Sequence, residues 1–73
     1  MDILLLEDDF TLSQEVKQFL EKNHFNCECI YEGALVLKQI KVKKYDLFIL
    51  DINVPTINGL EVCNQIRQED KKT

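Results

Sequence analysis

The sequence predicts an α/β architecture: a doubly wound parallel sheet with helices on both faces. Three observations lead there. Short apolar runs alternate with stretches of helical period, each kind recurring along the 73 residues. The run "LFIL" at 47–50 is apolar without interruption, as in a parallel strand covered on both faces. The first and third runs also both end in carboxylates, at Glu7-Asp8 and at Asp51.

The elements follow in order. Asp2–Leu6 (DILLL) is a first strand, closed by the acidic cluster Glu7-Asp8-Asp9. From Thr11 the period changes, and Leu12, Val16, Phe19 and Leu20 form one stripe of a helix. Thr11 and Gln14 have the spacing of a capping box, and Asn23 is the stop. Asn26–Tyr31 is a second short strand. Gly33 introduces a second helix with Val36, Leu37 and Ile40 on its inward side; the lysines at 38, 41, 43 and 44 stay in water, while Leu35 and Val42 fall outside the stripe. Asp46–Leu50 is the third strand. Asn58 is then an N-cap with Glu61 at the box position, opening a third helix whose apolar side is Leu60, Val62, Cys63 and Ile66. The charged tail from Gln68 reads as a fraying end, and residues 1–73 read as a single domain.

Composition excludes several classes. A net charge of −4 argues against a binder of nucleic-acid backbones. No apolar run approaches the roughly 20 residues that span a bilayer, and "MDILLLEDD" lacks the basic start and cleavage-like site of a signal peptide, so a cytoplasmic protein is expected. Cys27, Cys29 and Cys63 have neither the count nor the spacing of a disulfide framework or a zinc site, and His24 is the only histidine. Free thiols in a reducing compartment are the reading. A dinucleotide-binding fold is disfavoured because no G-x-G-x-x-G follows the first strand.

Strands and helices in alternation imply right-handed crossovers, and the flavodoxin-like version of such a sheet has strand order 2-1-3 at its start. Between strands 1 and 3 the connections leave in opposite directions, which opens a crevice at the carboxyl ends. Glu7, Asp8 and Asp51 would meet there. Two unit charges ~4 Å apart repel by about 4 kcal/mol at an effective dielectric of 20, so a proton or a cation has to enter. Carboxylate and backbone oxygens suit a hard octahedral ion such as Mg²⁺. A neutralised aspartate at a strand tip can then attack phosphorus to form an acyl phosphate. Each acid also has a plainer explanation. "EDD" precedes a helix whose dipole favours negative charge, and an Asp at a strand end can simply start a turn. The convergence of both clusters on adjacent strand ends is what favours the crevice.

"ILLLEDD", "YEGALVL" and above all "YDLFILDINVPTINGLEVCNQIR" resemble the receiver domain of two-component response regulators, over essentially the whole chain. The resemblance implies the CheY-like form of the flavodoxin-like sheet. It gives Asp51 as phosphoacceptor and Glu7 and Asp8 as the acidic pair at the metal, with Asn53 offering its backbone carbonyl to Mg²⁺. Asp9 belongs to the loop or helix start. Pro55 and Gly59 shape the loop into the third helix, since proline fixes φ and glycine allows a close turn. The implied partner is a sensor histidine kinase. Receivers have five strands and five helices, whereas this pattern ends at the third helix. The Ser or Thr of the family's fourth strand and the Lys of its fifth are therefore missing, and impaired switching of a truncated receiver is expected.

Two other classes compete. A receiver-like module could dock or dimerise without being phosphorylated. A haloacid-dehalogenase-like phosphatase would want a second aspartate where Asn53 stands. With three strands the third is an edge, so its apolar run should drive self-association, most simply as a two-fold dimer. No nucleic-acid or membrane contact is expected.

Overall fold

The structure is a computed structural model and describes residues 1–52 and 54–69. Its elements are β1 (Asp2–Leu6), α1 (Phe10–Lys22), β2 (Asn26–Ile30), α2 (Gly33–Gln39), β3 (Leu47–Leu50) and α3 (Gly59–Glu69). The strands form one parallel sheet in the order β2-β1-β3, as the sequence predicts. Among the described residues, no helix is long and apolar enough to cross a membrane.

Alternation along β1 divides the molecule into two layers of core. Leu4 and Leu6 point to one face, where they are fully buried with Val36 of α2 and Val62 and Ile66 of α3. Phe48 and Leu50 of β3 and Val54 and Ile57 of the following loop pack against this cluster. Ile3 and Leu5 are buried on the other face. They lie in register with Cys27 and Cys29 of β2, beneath α1, where the Cys29 thiol reaches the Ser13 carbonyl at 3.8 Å. All three cysteines are free thiols. Burial, with Cys29 beside it, pushes the Cys27 thiol up to about 11, so it serves as a small apolar side chain.

Several sequence expectations are corrected in detail. The cap of α1 is Asp9 and not Thr11: Asp9 has extended backbone, and its Oδ1 accepts the Leu12 N–H at 3.1 Å. The first helical residue is consequently Phe10. The stop at Asn23 stands, and the chain leaves α1 through a left-handed His24 at φ 69°. His24 N–H donates to Glu21 O and Phe25 N–H to Leu20 O, the Schellman pattern with histidine where glycine is commoner. On α1 the stripe residue Phe19 is 66% exposed and Leu12 is also exposed, while the residue this helix buries fully is Ser13. Leu60 is likewise exposed, leaving Val62 and Ile66 as the buried face of α3. The Asn58 cap is as expected, its Oδ1 accepting the Glu61 N–H at 2.9 Å. Glu61 itself binds the Gln65 amide and does not close a capping box.

Lys43 is the remaining correction. It does not stand free in water; its ammonium pairs with Glu28 of β2 and lies 5.3 Å from the centre of the Tyr45 ring. Glu28 also accepts from the Tyr45 hydroxyl and, at 3.3 Å, from the Gln39 amide. One carboxylate thus ties the α2–β3 connection to the far strand. At the opposite edge Asp46, just outside β3, accepts the Asp2 N–H and donates its own to Asp2 O, both at 2.7 Å.

The Lys43 ammonium and then the Tyr45 hydroxyl hold the Glu28 carboxyl below the usual carboxylate range. A depressed carboxylate contributes stability above its unfolded pKa and loses it as pH falls through the folded value. Glu28→Gln should therefore lower the thermal midpoint at neutral pH and narrow its gap to wild type on acidification, as read by circular dichroism melts.

Candidate functional site

The sheet ends deliver the acids. After β1 the ladder continues for one more bond, Glu7 N–H to Ile30 O at 3.1 Å; after β3 it continues from Asp51 N–H to Leu6 O at 2.9 Å. Both carboxylate-bearing residues are thus fixed by backbone bonds to the neighbouring strand. Glu7, Asp8 and Asp51 each place a carboxylate oxygen so that all three lie within 4.8 Å of one another. Glu7 and Asp51 are half-buried and Asp8 is exposed, so the crevice opens to solvent. Of the metal ligands expected from sequence, these three are brought together. The fourth, Asn53, lies outside the described residues.

The electrostatics of Glu7 record the crowding. The Asp9 N–H, 3.1 Å from Glu7 Oε2, favours the charged form. Partial burial and the Asp51 carboxylate outweigh that donor and raise the Glu7 pKa above the ordinary carboxylate value. A set of three oxygen donors that repel one another fits a hard divalent cation, with solvent free to complete its coordination.

The loop behind Asp51 is held by two close backbone approaches. A Cβ on Gly59 would sit 2.1 Å from Asp51 O, and Gly59 N–H donates to Ile52 O at 3.1 Å. A Cβ on Gly33, at the start of α2, would sit 2.0 Å from Ile57 O. Gly33 N–H donates to Pro55 O at 3.2 Å. The sequence pointed to Gly59 and Pro55 as loop-shaping, but not to the part Gly33 plays in seating that loop. It also did not point to Thr56, which has φ 70° and accepts the Ala34 N–H on its hydroxyl at 3.0 Å.

A family model described as response regulator receiver domain matches residues 3–73. The chain belongs to that family. It is 37% identical over 67 residues to the transcriptional regulatory protein CrdR of Helicobacter pylori, and 38% over 68 residues to the response regulator ArlR of Staphylococcus haemolyticus. Those matches cover 92% and 93% of this chain but 32% and 31% of the relatives, so the chain spans about a third of their length. Among solved structures it superposes with a TM-score of 0.91 and 34% identity on the response regulator TrrA of Thermotoga maritima in complex with Mg²⁺ and BeF, covering 96% of this chain and 61% of that one. A crystal structure of the histidine kinase ThkA in complex with TrrA gives 0.92 and 33%, covering 99% and 62%. The chain is thus part of a two-component receiver, with the flavodoxin-like fold the strand order requires.

Receiver geometry here depends on backbone contact at both glycines, where an added methyl meets a carbonyl and not a flexible side chain. Gly33→Ala and Gly59→Ala should each destabilise by about 3 kcal/mol, the upper range for overpacking, as measured by urea unfolding. Gly59→Ala should in addition shift the amide resonance of Ile52.

Proposed function

We propose that Asp51 is the phosphoacceptor of this receiver and that Glu7, Asp8 and Asp51, with the backbone carbonyl of Asn53, hold Mg²⁺. The observation that carries the proposal is the meeting of three carboxylate oxygens within 4.8 Å at the ends of β1 and β3. The family and the Mg²⁺–BeF complex of TrrA support it.

When bound, Mg²⁺ neutralises the crevice and polarises the incoming phosphoryl group. The chain's own residues do the rest. Backbone bonding of Asp51 to Leu6 aims its carboxylate outward from the strand tip. Its oxygen forms the new bond to phosphorus as the bond to the donor nitrogen breaks, and the electron pair leaves with the donor imidazole. Such transfer depends on positioning and charge more than on covalent help, which suits a signalling domain. The complex of ThkA with TrrA supports a histidine kinase as the donor. A phosphatase of the two-aspartate kind is disfavoured, since the residue two after Asp51 is Asn53.

Titration with Mg²⁺ followed by beryllofluoride, observed by amide NMR, should shift Glu7, Asp8, Asp51 and Ile52. Asp51→Ala should abolish the beryllofluoride response. Wild-type spectra that ignore both additions would overturn the assignment.

A second reading rests on the open flank. Leu47 and Ile49 of edge strand β3 are 45% and 38% exposed on the sheet face that carries α1. We propose that two copies of the chain pair through this face or edge. Light scattering should give a mass rising toward twice the chain with concentration, and Leu47→Lys should hold it at one. A wild-type chain that stays monomeric at its solubility limit would rule this out.

A further inference from the structure

The N-terminus of α2 has no cap of its own: Glu32, at the cap position, makes no side-chain hydrogen bond to the helix. The missing acceptor comes from the loop after Asp51. Thr56 Oγ1 accepts the Ala34 N–H at 3.0 Å and donates to Pro55 O at 2.6 Å. Pro55 O also accepts the Gly33 N–H at 3.2 Å and the Ile57 N–H at 3.0 Å. To do this Thr56 adopts φ 70°, a region that β-branched residues rarely enter. On either side, Val54 and Ile57 are anchored against the core, and Gly59 returns the chain to the Asp51 carbonyl. Pro55 and Thr56 thus fasten the loop after Asp51 to α2, by one carbonyl and one hydroxyl.

We infer that Thr56 is a positioning residue for the acidic crevice, latching the loop that follows Asp51 to the N-terminus of α2 and so holding Asp51 against Glu7 and Asp8. The inference rests on the proposed Mg²⁺ site and adds to it a residue that touches neither cation nor phosphoryl group. Strain at Thr56 is sustained only because the surroundings over-determine it, which makes the loop one arrangement and not several.

Mg²⁺ titrations of wild type, Thr56→Val, Thr56→Gly and Thr56→Asn, followed by amide NMR, test this. Thr56→Val removes the oxygen and keeps the branched shape; Thr56→Gly removes the oxygen and releases the left-handed strain, so it keeps the fold if Val does not. Both should weaken Mg²⁺ binding roughly tenfold, the lower end of what loss of a ligand-orienting partner does, and should speed exchange of the Ala34 amide. Thr56→Asn, which tolerates a left-handed backbone and offers a side-chain oxygen, should restore affinity to within about twofold. Unchanged affinity in Thr56→Gly, or no rescue by Thr56→Asn, would overturn the latch while leaving the metal site standing. A wild type that binds no Mg²⁺ would instead defeat the site itself, and the latch with it.

Discussion

Because β1 is hydrogen-bonded to β2 on one side and β3 on the other, its register decides both where the apolar side chains go and where the carboxylates emerge. Side chains alternate along a strand, so a slip of one residue would exchange Leu4 and Leu6 for Ile3 and Leu5 in the α2–α3 core and carry Glu7 away from Asp51. The ladder bonds that run one step past each strand, at Glu7 and Asp51, are where the sheet stops being core and becomes site. Fold and chemistry share one constraint at that point, which is why an apolar strand can end in a charge.

The second constraint is the return of the β3–α3 loop to its starting point. Side chains cannot mediate it, since the Gly59 Cα faces the Asp51 carbonyl and the Gly33 Cα faces the Ile57 carbonyl with no room for a methyl group. Two helix starts, α2 and α3, thereby brace the loop from different directions. Val54 and Ile57 secure its underside, and Asn58 ends it as the cap of α3. A loop so confined can keep the half-buried Asp51 in one position.

Element type and order were legible in the sequence because short apolar runs such as Ile3–Leu6, buried throughout, alternate with stretches of helical period, in which Val62 and Ile66 are buried as read. The acidic crevice was legible because topology turns two distant clusters into neighbours. Errors arose where one residue type serves two purposes. Thr11 was read as capping α1, yet the cap is Asp9, already placed at the loop or helix start, since its extended backbone brings Oδ1 to the Leu12 N–H. Leu60 and Phe19 fit an apolar stripe, but a stripe says which side is apolar and not how far the neighbouring layer extends. Lys43 looked like solvent-facing charge; only the chain path after α2 brings it over Tyr45 to Glu28. Thr56 left no trace, because neither its left-handed backbone nor its bond to Ala34, 22 residues away in sequence, follows from local pattern.

A chain of this size buries only about 60% of the surface its unfolded form exposes, so its stability is thin. It nonetheless holds together Glu7, Asp8 and Asp51, and partial burial together with the Asp51 carboxylate raises the Glu7 pKa in spite of the Asp9 N–H. That burial and crowding of charge work against the folded state and are absent once the strands separate. On the proposed reading, a cation that binds only where the three carboxylates converge removes the repulsion and adds its own binding free energy to folding. At a hundredfold excess over its dissociation constant the gain is about 2.7 kcal/mol, a large fraction of what a small domain possesses. On that reading, the carboxylates that would serve phosphoryl transfer at Asp51 also couple the stability of the chain to what occupies the site.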